Sequence, residues 1–181
     1  HKLPSPFQVF ATRNPIEQEG TYPLPEAQRD RFLLEILVEY PTELQEREVA
    51  MRTTSGPLPE VEPVVSREQL FAIANLVPRI PVTDEAVALA VRYARLTRPD
   101  TPNAPEQIRE YVRFGAGPRG SQALVLTAKA RAALRGDPAA DIDDVRAMLV
   151  PTLRHRMVLS YRAEADGIGV TDLLECIAKQ G

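Results

Sequence analysis

The sequence is short of several things, and each shortage closes off a class of function. Of 181 residues one is cysteine, two are histidine and none is tryptophan. A lone Cys176 cannot form an intramolecular disulfide and suits a reducing cytoplasm. His1 and His155 have no Cys or carboxylate partners at ligand spacing, so no metal site is expected. Positive charge is in no excess: 22 Lys and Arg against 25 Asp and Glu leave a formal net charge of −3. That balance gives no electrostatic footprint for nucleic acid. No apolar run approaches the roughly 18 residues of a membrane span. His1-Lys-Leu-Pro-Ser-Pro shows neither the apolar stretch nor the cleavage pattern of a secretory leader. Nowhere is there a G-x-x-x-x-G-K-[ST] loop, nor a strand ending in paired Asp-Glu to hold Mg²⁺.

What is present is ordinary in bulk and unusual in punctuation. Hydrophobic residues make up 44% and charged residues 26%, as in soluble globular chains. Proline is abundant, 17 residues where the average share is roughly 5%. The prolines cluster at 57–63, 78–81 and 99–105, between periodic segments, where a fixed φ stiffens connections. Residues 7–12 are short and apolar, which suits a buried strand. In residues 32–40, Phe32, Leu34, Ile36, Val38 and Tyr40 share one face while Glu35 and Glu39 take the other, a strand with one wet side. Pro15 to Pro25 reads as a loop, followed by a short helical turn over residues 26–31.

Beyond Pro41 the period becomes helical. Thr42 with Gln45, and Ser66 with Gln69, fit the capping-box pattern and predict helices over 42–53 and 66–76. Val87, Ala90, Val91 and Ala94 make one apolar face of a helix over 83–97. Pro118 to Leu134 is Ala- and Leu-rich and stops at Gly136, Asp141 caps 142–149, and further helices are expected over 151–164 and 170–179. The chain therefore reads as an α/β layer over residues 1–55, a Pro-rich linker over 56–65 and a helical bundle over 66–181.

Three constellations could carry chemistry. Asn14 follows an apolar strand, where α/β sheets meet ligands, and its amide could orient a water; it could equally be the turn residue before Pro15. In Glu26-Ala-Gln-Arg-Asp-Arg-Phe, an arginine just before a strand can project past a subunit edge to stabilise phosphoryl transfer; the plain alternative is an exposed ion pair with Asp30 or Glu26. Gly115, Gly117 and Gly120 match G-x-G-x-x-G, with Asp137 and Asp141 about 20 residues on, which raises a dinucleotide-binding reading. Against it, Pro118 sits in the loop whose N–H groups would face a pyrophosphate. Arg119 is a cation near a helix N-terminus, better explained if an anion such as a phosphate sits there. Arg154-His155-Arg156 reads as a solvated basic face, with phosphate or partner contact as the other option. Cys176, between Leu173 and Ile177, reads as core because no basic neighbour lowers its pKa. Tyr93, Tyr111 and Tyr161 read as packing residues with a wet hydroxyl.

The stretch Asn14-Pro-Ile-Glu-Gln-Glu-Gly-Thr-Tyr-Pro-Leu-Pro-Glu-Ala-Gln, with Asp30-Arg31-Phe32 after it, closely resembles the MoxR-type AAA+ ATPases. The likeness is dense over 7–41, fair over 115–125 and 153–157, and loose between. It implies the terminal strands of a parallel αβα core followed by an all-helical lid. It also implies that Asn14 is the sensor-1 residue placing the lytic water, Arg31 the arginine finger reaching a neighbour's ATP, and Arg119 in Gly-Pro-Arg-Gly-Ser sensor 2, acting in cis or in trans. Arg13 stands where the family usually has glutamine and Arg29 where it usually has leucine, so Arg29 is the alternative finger. The further implications are Mg-ATP hydrolysis in a homo-oligomeric ring, a hexamer, coupled to remodelling or maturation of a partner that often carries a von Willebrand factor A domain. The missing phosphate-binding loop makes His1 read as a resumption partway through a longer protein, inactive by itself. A helical protein-interaction module without catalysis is the alternative function.

Overall fold

A computed structural model describes residues 3, 5–13, 24–57 and 60–180. Asn14 and the rest of the 14–23 loop lie outside the described residues.

Local signals in the sequence set most helix starts. Helix α1 is the single turn Glu26–Arg29. Helix α2 (Glu43–Thr54) starts at Thr42, and helix α3 (Arg67–Leu76) at Ser66; each hydroxyl accepts the N–H of the glutamine three residues on, whose side chain answers it. Helix α4 (Asp84–Leu96) starts where Thr83 accepts the Ala86 N–H at 3.2 Å. Short helix α5 (Glu106–Tyr111) leads into strand β1 (Val112–Phe114). Helix α6 (Pro118–Arg135) has proline in its first turn and ends at Gly136, whose φ of +76° is the left-handed cap that glycine adopts without penalty. Helix α7 (Ile142–Leu153) begins at Asp141, whose carboxylate accepts from the N–H groups of Asp143 and Asp144. It runs through Pro151, past the expected end at residue 149. Strand β2 (Val158–Leu159), helix α8 (Tyr161–Ala165) and helix α9 (Val170–Ala178) complete the described chain.

Helices α4, α6, α7 and α9 pack around one core, with Tyr93, Leu124, Leu149, Leu153, Leu173, Leu174 and Ile177 fully buried. Its alanines let helices approach closely. On α4 the buried face is Ala86, Leu89, Ala90, Tyr93 and Ala94, so the stripe is rotated from the expected one and Val91 stays 42% exposed. Under α7 lies a buried ion cluster. Asp144 is fully buried and takes Arg131 and Arg135, each at 2.7 Å, while Asp141 donates its N–H to it at 3.1 Å. Burial pushes the Asp144 carboxyl above its usual range, opposed by the Asp141 N–H and the Arg135 charge.

Two expectations are corrected here. Residues 151–164 are not one helix: after Leu153 comes a tight turn, then β2 pairs antiparallel with β1, Val112 opposite Leu159 and Phe114 opposite Val158. The β-branched and apolar run 157–159 gains a ladder partner that a helix would deny it. The segments 7–12 and 32–40 sit in no sheet among the described residues. A strand is held by its neighbours, and no described segment pairs with these two. Phe10, Val38 and Tyr40 are accordingly 92%, 93% and 88% exposed.

The antiparallel β1–β2 pair also removes the dinucleotide-binding reading, which needs a parallel βαβ unit. The glycines have packing roles instead. A Cβ on Gly115 would lie 2.3 Å from the Thr97 carbonyl oxygen, and one on Gly120 would press on Ala116 and Leu153. Thr97 ties this approach down, accepting the Ala116 N–H at 2.8 Å while donating to the Ala94 carbonyl. Arg98 Nε adds a bond to the Ala116 carbonyl at 2.8 Å. We predict that Gly115→Ala costs about 1–3 kcal/mol in denaturant unfolding. Gly117→Ala, with open space at its Cβ, costs less than about 1 kcal/mol. Equal costs would refute the packing account.

Candidate functional site

The site is built where the 26–35 segment meets the end of α7. Pro25 precedes α1, and its carbonyl accepts the N–H groups of Gln28 and Arg29. The chain then turns tightly, Arg31 N–H to the Gln28 carbonyl at 3.1 Å and Phe32 N–H to the Arg29 carbonyl at 3.0 Å. From the other side, residues 154–156 form a single 3₁₀ turn that presents His155 and Arg156 inward. These two were expected on a solvated face, and the structure corrects that: they are 5% and 8% exposed. Leu153 before them and Met157 after them are core residues, which draws the intervening turn inward.

Arg156 grips the turn. Its Nε donates to Asp30 Oδ1 at 3.2 Å, and Nη2 donates to the carbonyls of Asp30 at 3.2 Å and Phe32 at 2.6 Å. Nη1 reaches the Leu33 carbonyl at 3.3 Å and also the Thr152 carbonyl. Burial lowers the Arg156 pKa, and the neighbouring Asp30 carboxylate opposes that shift, so the guanidinium stays charged. His155 Nε2 lies 3.0 Å from the Phe32 carbonyl. A carbonyl can only accept, so Nε2 carries the proton. Burial holds the His155 pKa below its ordinary value, with the Phe32 carbonyl opposing and the Arg156 charge assisting. The imidazole is therefore neutral near pH 7.

The predicted site residues fall into three groups. Arg119, in the first turn of α6, pairs its Nη1 with Asp30 Oδ2 at 3.4 Å. The anion it meets is the Asp30 carboxylate of the 26–35 segment. With Arg119 57% exposed the pair is worth at most about 1 kcal/mol. Arg31 is exposed and has no side-chain hydrogen bond or ion pair among the described residues. The expected alternative, a pair of Arg31 with Asp30 or Glu26, does not form, and Asp30 pairs with Arg156 and Arg119. Arg29 is half-buried, with Nε enclosed and without a hydrogen-bond partner. Asn14 lies outside the described residues. Cys176 is half-buried and free.

A cleft of about 230 Å³ opens here, lined by Glu26, Asp30, Phe114, Gly117, His155 and Arg156 among others. A wider one of about 480 Å³ lies between Ser5-Pro6 and α3, where Val65, Leu70 and Ile73 line it and Arg67 is the one charged group among the described residues. Convergent charge distinguishes the first. Sequence reasoning missed Arg156, and the available signal was its position between Leu153 and Met157-Val158-Leu159.

Comparison with known proteins gives this arrangement a family. Residues 104–177 match the AAA lid domain, and residues 1–34 match the ATPase family associated with various cellular activities. The chaperone MoxR1 of Mycobacterium tuberculosis is 40% identical over 166 residues, 92% of this chain and 44% of that protein. The protein MoxR of Paracoccus denitrificans is 34% identical over 167 residues, 85% of this chain and 49% of that one. A crystal structure of a candidate ATPase from Cytophaga hutchinsonii superposes with a TM-score of 0.90 at 32% identity, covering 100% of this chain and 55% of that one. The chain thus spans about half the length of the relatives it matches. Among the described residues no helix is long and apolar enough to cross a membrane. The chain belongs to the MoxR-type AAA+ ATPases, and its residues 104–177 are matched by the AAA lid domain.

Proposed function

We propose that this chain is the finger- and lid-bearing part of an ATPase that hydrolyses Mg-ATP at the subunit interfaces of a cytoplasmic, hexameric ring. The observation that carries the reading is Arg31, exposed and unpaired among the described residues, on a turn that Arg156 holds through Asp30 and Phe32. Phosphoryl transfer needs little covalent help and much positive charge at the γ-phosphate, where an arginine from a neighbour is worth roughly 10³–10⁵ in rate. An arginine already paired would give up that partner on engaging phosphate. The half-buried position of Arg29 supports Arg31 over it as the finger. Arg119 has a second role in this reading, exchanging the weak Asp30 contact for a phosphate oxygen. Asn14 orients the attacking water.

The residues present fit part of the nucleotide. They offer cations and an amide for the γ-phosphate end, and no loop or acidic pair for the β-phosphate and Mg²⁺. Those groups come, in this proposal, from a phosphate-binding half, in keeping with relatives about twice as long. The exposed apolar residues Phe10, Ile36, Val38 and Tyr40 suit the same half as a docking partner. Hydrolysis would drive remodelling or maturation of a partner protein, one bearing a von Willebrand factor A domain being the expected class. A helical interaction module without catalysis is the second reading, favoured by the missing G-x-x-x-x-G-K-[ST] loop.

Two outcomes separate these readings. In the full-length protein, Arg31→Ala should lower kcat by about 10³-fold or more and leave the nucleotide Kd essentially unchanged, measured by phosphate release and by fluorescent-nucleotide titration. Near-normal turnover would remove the finger assignment. The 181-residue chain alone should release no phosphate above background; measurable turnover would overturn the divided site, and a full-length protein indifferent to ATP would favour the interaction module.

A further inference from the structure

We infer that Arg156 is the positioning residue for Arg31, so that each subunit's lid sets where its own finger points. The inference rests on the reading of Arg31 as the finger and adds a residue and a coupling to it. A guanidinium has five N–H groups, and here all of them have an acceptor: Asp30 Oδ1 and the carbonyls of Asp30, Phe32, Leu33 and Thr152. Four of those five acceptors belong to residues 30–33, and the one residue of that turn left out is Arg31. The backbone on both sides of Arg31 is therefore fixed, while its side chain is exposed and unpaired among the described residues.

A surface ion pair would not be built this way. The Arg156 side chain is 3% exposed, and a buried cation is costly unless it is fully paired and hydrogen-bonded. Lysine could not replace it, because a single ammonium cannot span a carboxylate and carbonyls spread over four residues. Neighbouring contacts run in the same direction. His155 Nε2 donates to the Phe32 carbonyl, and the Glu35 N–H donates to the Pro151 carbonyl at 2.9 Å. Arg154 joins Thr171 on α9, at 2.8 Å, to the vicinity of Glu35, at 3.9 Å. Thus residues 30–35 are carried by the end of α7, and a displacement of the lid displaces Arg31 with it. A misplacement of about 1 Å at a reacting centre can cost about 10²-fold in rate.

The test uses the full-length protein with Arg156→Lys, Arg31→Ala and the double variant. Thermal unfolding, nucleotide Kd and kcat are measured for each. Arg156→Lys is expected to keep nucleotide affinity, to lower kcat by about tenfold to 10²-fold, and to have no further effect once Arg31 is alanine. Asp30→Asn, which keeps shape but removes the carboxylate charge, is the second probe and should show the same dependence on Arg31 should the lysine variant fail to fold. Wild-type turnover in a folded Arg156→Lys protein, or a loss that persists undiminished in the Arg31→Ala background, would overturn the inference. Normal turnover in Arg31→Ala alone would instead overturn the finger reading, and the inference with it.

Discussion

A single buried guanidinium holds the two parts of this chain together at the site. Without Arg156, Asp30 would keep only its 3.4 Å contact with an exposed Arg119. The carbonyl of Leu33 would lose the donor described for it, and that of Phe32 would retain only His155. The reverse also holds, since removing the 30–33 carbonyls would leave a buried guanidinium with only the Asp30 carboxylate and the Thr152 carbonyl among the acceptors described for it, and an under-satisfied buried charge is costly. The contact matters to both sides, because each would be left under-satisfied without the other. Asp30 pairs with Arg156 and Arg119, and among the described residues Arg31 has no ion pair.

The packing behind this contact is arranged to keep it still. Gly115 lets its strand end lie against the backbone at Thr97, and Thr97 and Arg98 lock Ala116 there. That fixes the start of α6 and so the base of Arg119. On the opposite side α7 is anchored by its Asp141 cap and by Asp144 between Arg131 and Arg135. The 154–156 turn therefore leaves the core at a defined point. Two cations on different helices meet one carboxylate from the segment before them, and the cleft between them is bounded by fixed backbone.

The sequence was most legible where structure is local. Thr42 with Gln45, Ser66 with Gln69, Asp141 and Gly136 all mark helix ends through groups within four residues, and the helix ends lie close by. It was least legible where the decisive partner is remote. His155 and Arg156 look like a wet basic face until the carbonyls of residues 30–33, more than 120 positions earlier, are brought against them. The apolar run 157–159 could by composition belong to a helix, and only its pairing with β1 makes 158–159 a strand. The alternation over 32–40 is a real strand pattern, yet the pattern describes a face and cannot supply the neighbours a sheet needs. Family likeness pointed to Arg31 and Arg119 as candidates, whereas Asp30 as a bridge between Arg119 and Arg156 needed three dimensions.

The claim on which the rest stands is that residues 30–35 and the lid form one mechanical piece. Amide hydrogen exchange reads this directly at Glu35, whose N–H bonds to the Pro151 carbonyl, with the α2 amides as an exposed reference. The account predicts protection of the Glu35 amide within about tenfold of the α7 amides, falling toward the α2 level in Arg156→Lys. Exchange at Glu35 as fast as in α2 in the unaltered protein would show that the turn is not mounted on the lid, and would contradict the account.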